Sequence, residues 1–207
     1  IHIVLFDPHR AGHELSYFPG ETNMRMADIA IINKVDTASL AQVEQVRKNI
    51  ELHNAKAEIV LAESPVIVSR PERIKGKRVL VVEDGPTLTH GEMPYGAGVI
   101  AAKEFHAAEI VDPRPYAEGT IHETYLRYPH TGAVLPAMGY SADQIRDLET
   151  TINRADCDLV LFATPIHLTR IVSIEKPAIR VRYEYQDHGS PALEEILIER
   201  LNLQQLH

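Results

Sequence analysis

Short apolar runs alternate along the chain with segments of helical periodicity, and this alternation constrains the fold more than any other feature. The runs lie near residues 2–6, 28–32, 58–62, 79–83, 108–111, 158–163 and 179–184, and the helical patterns near 38–53, 97–106, 141–155 and 191–203. An uninterrupted apolar strand is buried on both faces, which requires a sheet covered by helices on both sides. A strand, a helix and a further strand in sequence form a crossover unit. The expected fold class is therefore α/β, a mostly parallel sheet with crossover helices. Ser141, with Gln144 three residues on, reads as a capping box that opens the helix near 141. The polar, turn-forming stretch Arg70-Pro71-Glu72-Arg73-Ile74-Lys75-Gly76-Lys77 suggests a boundary, giving a front module 1–75 and a rear module 76–207.

The strand near 28–32 ends in Asn33-Lys34-Val35-Asp36, an NKxD tetrapeptide at the carboxyl end of a buried strand, where open α/β sheets bind ligands. A carboxylate two residues after Lys accepts both the N1–H and the exocyclic amine of guanine, while Asn braces the loop and the Lys stem covers the base. One strand later, Ala62-Glu63-Ser64 stands where a second loop would offer backbone N–H groups to the same base. Asn33, Lys34, Asp36, Ala62, Glu63 and Ser64 are thus the expected nucleotide-binding residues, as against a plain turn. No G-x-x-x-x-G-K-[ST] phosphate loop occurs, and Gly76-Lys77 is followed by Arg78. The front module therefore reads as a partial P-loop NTPase-like core, and the rear as a second, Rossmann-like α/β module. The chain opens inside an apolar run without methionine, so the phosphate loop is expected upstream of residue 1.

The rear module carries three further signals. Val79 to Glu83 empties into Asp84-Gly85-Pro86-Thr87-Leu88-Thr89-His90-Gly91, read as a long loop whose backbone and hydroxyl donors suit an anion. Gly96-Ala97-Gly98-Val99-Ile100-Ala101 matches G-x-G-x-x-A, but its glycines do not follow a strand directly, which weighs against a dinucleotide site. Arg180 and Arg182 alternate on a strand and so share a face, as a phosphate clamp or as solvated edge charge. In front, His9 and His13 have a metal-like spacing only if a helix holds both, which Pro8 and Gly12 oppose, and no metal site is expected.

A net charge of −8 with no Lys/Arg run excludes a general nucleic-acid or membrane surface but leaves room for a small anion held by local bases. One cysteine, Cys157, excludes disulfides, and no apolar window approaches a membrane span, so the expectation is a soluble cytoplasmic protein.

The stretches DPHRAGHELSYFPGETNMRMADIAIINKVDTA, VVEDGPTLTHGEMPYGAG, VDPRPYAEGTI, YPHTGAVLPAMGYS and ATPIHLTRI together resemble the cyclic 2,3-diphosphoglycerate synthetase family of P-loop proteins related to small GTPases. The resemblance covers nearly the whole chain, to the carboxyl-terminal half of the family's members, which carry the P-loop in an additional amino-terminal region. It implies an enzyme that closes a cyclic phosphoanhydride in 2,3-diphosphoglycerate at the expense of GTP or ATP with Mg2+. NKxD points to guanine, whereas the family's reaction uses ATP. The implied partners are the nucleotide and a phosphorylated small molecule, and a homo-oligomer is compatible with them. Arg10, His13 and Arg25 in front, with Thr87, Thr89, His90, Arg114, Arg180 and Arg182 behind, are the candidates to hold the substrate's charges. His167 stands where the family has Asp. A GTP-driven switch or metal-delivery accessory protein is the alternative; the dense rear loops favour the enzyme, and the scarcity of cysteine speaks against metal delivery.

Overall fold

The structure is a computed structural model that describes residues 1–89, 95–139 and 141–201. Among these residues the strands are β1 (Ile3–Phe6), β2 (Ile29–Ile32), β3 (Glu58–Glu63), β4 (Val66–Val68), β5 (Arg78–Asp84), β6 (Glu109–Ile110), β7 (Leu135–Ala137), β8 (Leu159–Ala163), β9 (Ala178–Tyr183) and β10 (Gln186–Asp187). The helices are α1 (His13–Ser16), α2 (Gly20–Met26), α3 (Leu40–His53), α4 (Gly85–Thr89), α5 (Ala97–Glu104), α6 (Gly119–Arg127), α7 (Ala142–Arg154) and α8 (Leu193–Leu201). The α/β class read from the sequence is the observed one, and the pairings are mostly parallel. No helix among the described residues is long and apolar enough to cross a membrane.

The chain forms two compact units, Ile1–Pro65 with Glu184–His207, and Val66–Tyr183. In the first, the sheet runs β1-β2-β3-β10, with β1, β2 and β3 parallel and β10 antiparallel to β3. All four residues of β2 are buried, and the neighbours explain why: Ala30 and Ile32 pack on Val43, Val46 and Ile50 of α3, while Ile29 and Ile31 pack with Ile196 of α8. A strand covered from both sides tolerates no polar alternation, hence its continuous apolar sequence. Ser39 and Gln42 close a reciprocal capping box that starts α3.

In the second unit the order is β4-β9-β8-β5-β6, with β7 also parallel to β5 at its carboxyl end. Val79, Val81 and Leu161 meet Ala97 and Ala101 of α5 on one face; Leu80, Val82, Val160 and Phe162 meet Ile121 of α6 and Leu148 and Ile152 of α7 on the other. The Ser141–Gln144 capping box is present at the start of α7.

Two features differ from the sequence reading. The units do not divide at 75/76: β4 pairs with β9 in the second unit, and β10 and α8 return to the first. The turn-rich stretch at 70–77 punctuates one unit, whereas the chain crosses between units at Pro65 and Glu184. The segment after Glu83 is also not wholly a loop, because β5 passes directly into α4. Gly85 permits this. A Cβ there would lie 2.3 Å from Met138 Sδ and 2.5 Å from the Ala137 carbonyl oxygen, so only glycine brings α4 so close to the end of β7.

Candidate functional site

In the first unit the NKxD loop and the loop after β3 meet. Ser64 Oγ donates to Asn33 Oδ1 at 3.1 Å, Ser64 N–H points at Asp36 Oδ1 at 3.5 Å, and Val35 N–H donates to the Ala62 carbonyl at 3.1 Å. The parallel pairing of β2 with β3 places both loops at one carboxyl edge, so the six residues expected to bind nucleotide are neighbours. Lys34 has φ 58, a left-handed backbone uncommon for a residue with a side chain, whose cost of about 1 kcal/mol or more is typical of functional loops. Its Nζ donates to Asp7 Oδ2 at 2.8 Å. Burial opposes the charge of Asp7, but the bond from Lys34, with Arg10 nearby, outweighs burial and holds the carboxyl below its ordinary value. Glu63 turns the other way and pairs with His188 Nδ1 at 2.5 Å, a partner supplied by the returning carboxyl-terminal segment. His188 was not among the residues expected to act.

The front substrate candidates are engaged locally. Arg10 lies 3.4 Å from Asp7, Arg25 bonds Glu21 at 2.7 Å one helical turn away, and His13 stacks on Tyr17. His9 bonds Thr37 Oγ1, and no single helix carries both His9 and His13.

In the second unit a cavity of about 380 Å³ opens at the carboxyl ends of β5, β8 and β9. Arg180 and Arg182 line it together with Glu83, Asp84, Thr164 and Tyr183. Arg180 Nη2 donates to the Pro165 carbonyl at 3.1 Å, whereas its buried Nε has no hydrogen-bond partner. Thr89 is buried, and its hydroxyl donates to the Gly85 carbonyl of its own helix, so that group is already spent. Arg114 is clamped on Asp112 at 2.6 Å and is not among the lining residues. His167 rests against Phe162 and bonds Thr169. His90 lies outside the described residues, and only the backbone of Thr87 is described, within α4.

Glu83 organises this cavity and was not among the residues expected to act. Its Oε1 accepts the N–H groups of Gly96 and Val99, both at 3.1 Å. A Cβ at Gly96 would lie 2.5 Å from Glu83 Oε2, and one at Gly98 only 2.7 Å from Val81 Cγ1. The glycines that imitate a dinucleotide fingerprint thus admit the protein's own carboxylate to the start of α5. Burial pushes the Glu83 carboxyl up to about 7, against the lowering pull of the Val99, Gly98 and Gly96 N–H groups. The folded state therefore holds a proton that the unfolded chain releases near 4.5. Stability contributed by the neutral acid is fully present below pH 4.5 and is lost as pH rises through about 7. Glu83→Gln removes this loss. Denaturant unfolding across that window should show the variant gaining on the wild type by up to about 3 kcal/mol with rising pH.

No protein-family model matches the chain. The chain is similar to the curated "Arginine synthetase ArcE" of Thermococcus kodakarensis, with 60% identity over 197 residues. That match takes in 95% of this chain and 44% of the relative, so the chain spans less than half of the relative's length.

Proposed function

We propose that this chain is part of a longer nucleoside-triphosphate-dependent synthetase that forms arginine. The observation that carries the proposal is 60% identity, sustained over 95% of the chain, to a protein named for that product. The geometry supports it in two ways. The Asn33, Asp36 and Ser64 constellation suits a nucleotide base, and the charged cavity of the second unit suits a small polar substrate. GTP or ATP would enter with Mg2+, and an upstream phosphate loop would supply the backbone N–H groups and lysine that neutralise the phosphates. The carboxylate of Asp36 favours guanine because adenine offers it no pair of donors.

A second synthetase activity, closure of the cyclic phosphoanhydride in 2,3-diphosphoglycerate, draws support from the family resemblance and from Arg180 and Arg182 lining one cavity. The two can be separated without knowing what precedes arginine in the reaction, because an enzyme also catalyses its reaction from the product side. The full-length protein, given arginine and magnesium with either ADP or GDP plus phosphate, or AMP or GMP plus pyrophosphate, should generate the triphosphate. Failure with all of these nucleotides overturns the arginine assignment. Consumption of triphosphate that depends on 2,3-diphosphoglycerate would put the cyclic product in its place.

A further inference from the structure

The cavity of the second unit carries two arginines along one side, and nothing in a nucleotide-base site accounts for them. Arg180 and Arg182 stand on β9; Glu83 and Asp84 end β5, with β8 between. Neither arginine has an ion-pair partner among the described residues, although Asp and Glu outnumber Lys and Arg 29 to 21 in the sequence. Arg180 is held through Nη2 on the Pro165 carbonyl, which leaves its buried Nε–H unsatisfied. A buried donor without a partner costs about 1–3 kcal/mol, a cost that an anionic ligand group would remove.

We propose that this cavity is the amino-acid site, taking the α-carboxylate of a cationic amino acid on Arg180 and Arg182 while its side chain extends toward the carboxyl end of β5. The identity of the amino acid as arginine rests on the function proposed above; the polarity of the site rests on the cavity itself. Two strand spacings separate β9 from β5, which is about 10 Å between backbones. The α-ammonium lies beside the carboxylate and cannot bridge that gap. An extended arginine side chain carries its guanidinium roughly 7 Å from the carboxylate, which suits the span once the protein side chains have reached inward. The volume of about 380 Å³ lies within the range of small-molecule sites.

The test compares arginine with agmatine, which is arginine without its carboxylate, by calorimetric titration into the full-length protein. Wild type should bind arginine about 10- to 100-fold more tightly than agmatine, the range of one charge-assisted bond. In Arg180→Ala that preference should collapse to within about threefold with agmatine affinity retained, and Arg182→Ala should reduce it in part. Retained agmatine binding shows at once that the variants fold. If wild type binds arginine and the preference survives in both variants, the site is wrong while the arginine function stands. If wild type ignores arginine but binds 2,3-diphosphoglycerate in an Arg180-dependent way, the arginine function fails and the cavity is an anion site instead.

Discussion

In the full-length protein, Asp36→Ala should lower guanine-nucleotide affinity by roughly 100-fold or more while leaving ATP affinity within about twofold. Asp36 sits in the loop after β2 with Ser64 N–H 3.5 Å from its Oδ1, so its carboxylate lies where the second loop meets the first. Its two oxygens suit the two donors of guanine, and losing two charge-assisted bonds of about 1.5–3 kcal/mol each gives a factor of that size. Asp36→Asn is the sharper variant. It preserves shape but puts a donor where guanine needs an acceptor, so the loss should be nearly as large. Titration of GTP and ATP against both variants supplies the measurement, and unchanged GTP affinity in both would remove Asp36 from base recognition.

An effect of comparable size is expected from length alone. The 207-residue chain contains no G-x-x-x-x-G-K-[ST] sequence, so its own residues offer no phosphate loop to the transferring phosphoryl group. Each preorganised donor or cation aimed at developing charge is worth about 3 kcal/mol, and several are absent together. Magnesium-dependent phosphate release by the isolated chain should therefore fall at least roughly 1,000-fold below that of the full-length protein. Robust turnover by the short chain would move the chemistry to residues within it, the Glu83 cavity first.

What could be read from the sequence depended on how far apart the interacting groups lie. The NKxD loop was legible because the buried strand and its polar ending are contiguous, and the crossover through α3 then makes β3 parallel to β2. Arg180 and Arg182 were legible as a pair because strand alternation puts them on one face. Glu83 was not, since its role exists only through the approach of α5, and Gly96 and Gly98, which permit that approach, mimic a ligand-binding pattern. The local pair Glu21 with Arg25 was visible in principle, because a four-residue separation on a helix brings such side chains together. The return of β10 and α8 to the first unit had no local signature. A discontinuous unit is defined by Ile196 packing against strands more than a hundred residues earlier.

The central claim is a division of labour: nucleotide base on the first unit, amino acid on the second. Hydrogen–deuterium exchange on the full-length protein, with nucleotide and arginine added separately, addresses it directly. Nucleotide should protect amides at residues 33–36 and 62–64, and arginine those at 83–84, 163–164 and 180–183, each leaving the other set unchanged. Protection of the same set by both ligands, or of neither set by either, would contradict the account.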